Sequence, residues 1–157
     1  MTKSHNQNDD SDSVNTESKI NHLIDQWHKD ATEAKLNDYL NFMDTNCYYV
    51  GTDATEIWSK NEFRSFCQPY FKDNKTWDFT PLTRTISINK SDNVAWFYET
   101  LDTHMGTCRG SGVISFKDSK WKLKQYVLSL AIPNSTMNKV KEIIHDEDSL
   151  FQESLKK

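Results

Sequence analysis

The sequence has little that would staple, anchor or steer it. Cys47, Cys67 and Cys108 are an odd set whose spacings match neither a paired disulfide framework nor a zinc module. They read as small apolar residues in a reducing compartment, since free cysteine is among the most buried residue types. No 18-residue apolar span occurs, so no membrane-crossing helix is predicted, and the first twenty residues carry no apolar run of the signal-peptide kind. The expected location is the cytoplasm. An excess of one charge is missing too: 19 Lys and Arg stand against 23 Asp and Glu, a net charge of −4. No basic stripe is available to neutralise nucleic-acid phosphates or an anionic membrane surface. P-loop, dinucleotide and nucleophile motifs are absent. With His5 in the N-terminal tail, His22, His28 and His145 on predicted helix surfaces and His104 at a hairpin end, no metal or cofactor set is expected.

What is present reads as one domain between two polar ends. Residues 1–16 are Asn, Asp, Ser and Thr with almost nothing to bury, and are expected to form a disordered tail. From residue 17 to 34, Ile20, Leu23, Ile24, Trp27, Ala31 and Ala34 fall at helical spacing. Asn37 is the predicted cap of a short second helix with Tyr39, Leu40, Phe42 and Met43. Residues 47–50 read as a strand stopped by Gly51, and Asp53 as the cap of a turn presenting Trp58. Ser59 and Glu62 have capping-box spacing before a third helix with Phe63, Phe66, Cys67 and Tyr70 inward. A strand over 77–89 then places Leu82, Arg84, Ile86 and Ile88 on one face. Residues 137–157 are expected to form a final helix that packs on the sheet or reaches a partner and is polar enough elsewhere to fray.

The stretch 92–134 predicts three strands in an antiparallel meander. With turns centred on Met105-Gly106 and Asp118-Ser119, Ala95, Phe97, Glu99, Leu101, Gly110, Gly112, Ile114, Leu123, Gln125 and Val127 share a concave face. Trp96, Tyr98, Val113, Tyr126, Leu128 and Leu130 lie on the other, where Asp102 opposes Arg109. The second face is apolar enough to seek cover, either from an identical subunit or from the last helix.

Glu99 falls in the middle of the apolar concave face, where a carboxylate needs a partner, and Arg84 on the neighbouring strand is the expected one. Gly110 and Gly112 leave either an open volume or a strand bend beside it. One reading is a ligand pocket lined by Trp58, Phe97, Leu101, Gln125 and Val127, with Arg84 and Glu99 as its polar groups. The other is a satisfied buried ion pair.

Two helices before a first strand, the run YVGTDATEIWSKNEF, the Arg84 strand, DNVAWF and WKLKQYVLSLAIPN together resemble the SnoaL-like proteins of the nuclear transport factor 2-like superfamily, over residues 18–136. The resemblance implies an α+β cone: a curved, mostly antiparallel sheet wrapped around three helices, with a cavity in its mouth and commonly a homodimer joined through the sheet. Relatives often carry a histidine where this chain has Val127. A cyclase- or isomerase-type proton transfer would then rest on Glu99 as base, with Gln125 on the oxyanion and Asp53 or Tyr49 assisting. The expected ligand is a small apolar or carbonyl-containing molecule. The competing expectation, from another functional class, is a noncatalytic homodimeric association module.

Overall fold

The computed structural model describes residues 7–156, with side chains from Val14 onward. Residues 1–6 of the expected tail, His5 among them, lie outside the described residues. The elements run α1 (Gln7–Thr32), α2 (Leu36–Asn41), β1 (Met43–Val50), β2 (Ile57–Ser59), α3 (Lys60–Lys72), β3 (Phe79–Asn89), β4 (Val94–Thr103), β5 (Gly106–Lys117), β6 (Lys120–Leu130) and α4 (Met137–Ser154). One six-stranded sheet of order β2-β1-β6-β5-β4-β3 holds all the strands. Every pairing is antiparallel except β1 with β6. The fold is the expected α+β cone, with the sheet curved around the first three helices.

The helices follow their apolar spacing. Ile20, Ile24, Trp27 and Ala31 of α1 are buried in the core, although the helix itself starts at Gln7, well before the apolar stripe. The predicted capping box forms on α3: the Ser59 side chain accepts from the Glu62 N–H and Glu62 reaches back to the Ser59 N–H. Three local expectations differ. Asn37 lies inside α2, which has Lys35 at its N-cap and no side-chain cap bond. Phe71, rather than Tyr70, completes the buried stripe of α3, because a helical repeat from Phe63 and Cys67 continues four residues on. Leu82 is exposed, since β3 shifts register between Pro81 and Thr83 and expels it from the face that Arg84 and Ile86 occupy.

The meander forms with its alternation intact on β4, where Ala95, Phe97, Glu99 and Leu101 are all buried. Its first turn sits two residues from the predicted register: Thr103 pairs with Gly106, so His104 and Met105 form the loop. The Thr103 hydroxyl accepts from the Met105 N–H and donates to the Gly106 carbonyl, and Gly106 supplies a φ of +96°. A slip of two preserves each residue's face because the side-chain period is two. Neighbours do change. Glu99 lies opposite Gly110, Phe97 opposite Gly112, and Arg109 opposite Thr100 rather than Asp102. The predicted turn at Asp118-Ser119 is present, both residues having positive φ.

The consequential difference is a bulge in β6. From Lys117 with Lys120 to Ile114 with Leu123 the register is as expected; then Val113 pairs with Gln125, and Lys124 is the extra residue. Strand β1 is irregular at the same place, between Met43 and Tyr48. Lys124 is held there by an ion pair to Asp44 at 3.0 Å. Beyond the bulge each side chain changes face. Tyr126 and Leu128 are buried in the core, Gln125 is exposed and Val127 half-buried on the outer side.

Candidate functional site

Glu99 is 1% exposed and does find Arg84. The Arg84 Nε donates to Glu99 Oε2 at 2.9 Å, while Nη2 lies 2.8 Å from the same oxygen but off the hydrogen-bonding direction. Nη1 reaches α1, donating to Asn21 Oδ1 at 2.6 Å and Asp25 Oδ1 at 2.7 Å. The other carboxylate oxygen has partners that the sequence reading did not include. His28 Nε2 lies 2.8 Å from Oε1, and the Tyr126 hydroxyl donates to it at 2.9 Å. Burial pushes the Glu99 carboxyl up, but His28, Arg84 and Tyr126 together outweigh that and hold it below its ordinary value. The Tyr126 hydroxyl is pushed well up, by burial first and then by the neighbouring Glu99 charge.

The two glycines beside Glu99 accommodate rings instead of open space. A Cβ on Gly110 would stand 2.1 Å from the Tyr126 hydroxyl, and one on Gly112 would stand 2.5 Å from Phe97 Cε1. The interior is filled by aromatic packing. Trp27 stacks on Tyr39 at 5.1 Å and meets Tyr126 edge-on at 4.8 Å, while Tyr49 stacks on Phe63 at 4.1 Å.

The structure therefore brings together Glu99, Arg84, Phe97 and Leu101 on the inner face of β3 and β4, with Tyr49 buried nearby against Tyr126. Trp58 is half-buried and stacks on Phe66 at 4.4 Å. Asp53 is the expected turn residue, its exposed carboxylate accepting from both the N–H and the hydroxyl of Thr55. Gln125 and Val127 are on the far side of the sheet. Burial pushes the Cys47 and Cys67 thiols up to about 12, and neither pairs with another cysteine.

Open space lies elsewhere. A cleft of about 1460 Å³ runs between α1, α2 and the turn ends of the β3–β4 and β5–β6 hairpins. Leu23, Trp27, Phe42, Ile88, Phe116 and Trp121 supply its apolar surface, and Lys19, Lys35, Lys90, Lys120, Lys122, Asp30 and Asp38 its charges. Asp30 is only 7% exposed; burial raises its carboxyl above the ordinary value, partly offset by a 2.8 Å hydrogen bond from Gln26. A smaller cleft of about 380 Å³ is bounded by Asp25, His28, Thr32, Asp78, Phe79 and Pro81. None of the predicted ligand residues lines either cleft.

His28 was legible in principle: Ile20, Ile24 and His28 are spaced i, i+4, i+8 and so share a helix face. Asp30, three residues after Trp27, is a weaker instance of the same spacing. Tyr126 had no such signal, because its face depends on the bulge. Among the described residues, no three His, Cys, Asp or Glu side chains gather as metal ligands do, and no helix is long and apolar enough to cross a membrane.

Comparison with solved structures identifies the fold. An NTF2-like protein of unknown function from Pseudomonas putida KT2440 superposes with a TM-score of 0.66 at 11% identity, covering 78% of this chain and 92% of that one. A putative dehydratase of the NTF2-like family from Streptomyces avermitilis has a TM-score of 0.63 at 10% identity, covering 74% and 96%. The association domain of C. elegans CaMKII has a TM-score of 0.63 at 18% identity, covering 74% and 97%. At these identities the likeness is one of fold. No curated protein matches the chain. A family model described as SnoaL-like domain matches residues 20–133, most of the folded part, and the chain, whose fold is NTF2-like, belongs to that family.

Proposed function

We propose that this SnoaL-like domain binds a small molecule in the cleft beside Trp27 and Trp121, and that Glu99 serves the scaffold. The observation that carries this reading is the separation of the two places. Both Glu99 oxygens already have partners inside a packed interior, while an apolar-floored cleft with convergent polar groups stands open at the side. A carbonyl-containing apolar molecule suits such a floor. For isomerase- or cyclase-type proton transfer, the suitable group is Asp30 on the cleft wall, whose raised pKa brings a carboxyl closer to the working range of an acid or base.

A thermal-shift titration against flat cyclic ketones tests the reading. Stabilisation that is lost in Trp121→Ala but kept in Glu99→Gln, compared with that variant's own unliganded midpoint, is the expected result. Stabilisation by no compound, or stabilisation indifferent to Trp121, overturns it. Turnover that survives Asp30→Asn removes the acid/base role from Asp30.

A second reading, an association module, is favoured by the outer sheet face. Trp96 is 48% exposed and Tyr98 56% exposed there, side by side on β4, and a large apolar patch on a sheet usually marks an interface. Two-fold pairing of identical chains is the commonest way to cover one, and one structural neighbour is itself an association domain.

A further inference from the structure

The cleft's charges and floor identify a class of ligand. In a chain of net charge −4, five lysines line this one cleft against two aspartates. Lys35 is engaged by Glu33, and Lys122 donates to the Asn41 carbonyl. Lys19 and Lys120 make no ion pair among the described residues, and they reach this cleft from two elements, α1 and the start of β6. Phe116 and Trp121 line the same cleft, their rings 5.2 Å apart at 49° and neither fully buried. Trp27 borders the cleft as well but is only 1% exposed, and its indole N–H is enclosed, with no hydrogen-bond partner among the described residues. An unpaired buried donor is destabilising and is rare in folded proteins.

We infer that the cleft takes an amphipathic organic anion: a flat apolar body on Phe116 and Trp121, and an anionic group met by Lys19 and Lys120. A neutral ketone satisfies the apolar floor but leaves the two lysines unanswered. An anion answers both lysines at once, and they fix which end of the molecule carries its charge. This inference rests on the proposed binding role of the cleft and adds the charge of the ligand to it.

The probes are 2-naphthoate and 2-naphthamide, which share a shape and a carbonyl and differ in charge, titrated calorimetrically into the full chain at low salt. The expected result is that naphthoate binds on the order of fivefold tighter, the scale of two solvent-exposed charge contacts. In the Lys19→Glu/Lys120→Glu double variant that preference disappears while the amide's affinity is unchanged. Both lysines are surface residues, so the variant retains its fold, as an unchanged urea midpoint checks. Equal binding of the two probes, weakened for both by Trp121→Ala or Phe116→Ala, keeps the cleft reading and overturns the anion. Binding of neither probe, or binding indifferent to both aromatic substitutions, overturns the cleft reading itself.

Discussion

Removing the charge at Glu99 leaves His28 and Tyr126 on one side and Arg84 on the other facing an amide that no longer matches them all. Breaking a buried ion pair from one side costs about 3–5 kcal/mol, and Glu99→Gln is expected to lower the urea-derived stability at pH 7 by that order. The pH dependence has a definite sign. The folded carboxyl is held below its unfolded value of about 4.3, so its stabilisation is complete above that pH and is lost as pH falls through the folded value. The gap between wild type and Glu99→Gln should therefore be full above about pH 4.3 and narrow below it; a gap constant down to pH 3 would contradict the assignment. Gly110 belongs to the same arrangement. Gly110→Ala drives a methyl into the Tyr126 hydroxyl, for an expected cost of about 1–3 kcal/mol by overpacking. Part of that cost should return in Gly110→Ala/Tyr126→Phe, relative to Tyr126→Phe alone, when both pairs are measured by chemical denaturation.

Among the elements, α4 stands apart. None of its residues is buried, and Ile143 and Leu150 are 78% and 73% exposed. Its sequence is nonetheless amphipathic, with Val140, Ile144 and Phe151 along one side. Because it adds almost no buried apolar area to the cone, truncation at residue 136 is expected to change the unfolding free energy of the remaining domain by no more than about 0.5 kcal/mol. A larger loss, measured at protein concentrations low enough to keep the chain monomeric, would mean that α4 packs on the cone in solution. The bulge at Lys124 is the opposite case, a single residue with a large effect. By inserting one position into β6 against a β1 that is irregular at the same height, it directs Tyr126 inward and Gln125 outward. The Asp44 carboxylate that holds Lys124 is itself kept below its ordinary value, first by the Asn46 N–H and then by Lys124.

At the scale of the whole molecule, the sheet separates two surfaces. Its inner face is closed by aromatic packing, and its outer face leaves Trp96, Tyr98 and Tyr48 about half exposed. Pairing through that face predicts that the wild type sediments as a dimer and that Trp96→Asp/Tyr98→Asp sediments as a monomer with the same circular dichroism. A monomeric wild type at tens of micromolar rules the pairing out. Ligand binding in the side cleft and pairing through the sheet use different surfaces, so the two experiments report independently.

Much of this molecule follows from local pattern. Helical spacing at Ile20, Ile24, Trp27 and Ala31, strict alternation from Ala95 to Leu101, the Ser59–Glu62 capping box and the Asp118-Ser119 turn each express one short-range rule, and together with the family motifs they define the cone. The partnership of Arg84 with Glu99 was legible as well, because a lone arginine and a lone carboxylate on facing apolar strands have few alternatives. Three features depended on contacts that no local rule contains. A bulge need not be marked by glycine, so β6 reads as unbroken alternation until its pairing with β1 and β5 is known. The volume beside Gly110 and Gly112 could be judged only once Tyr126 and Phe97 were placed in it. The cleft is assembled from α1 and the β5–β6 turn, about a hundred residues apart in the chain, and tertiary packing alone brings Lys19 and Lys120 to one site.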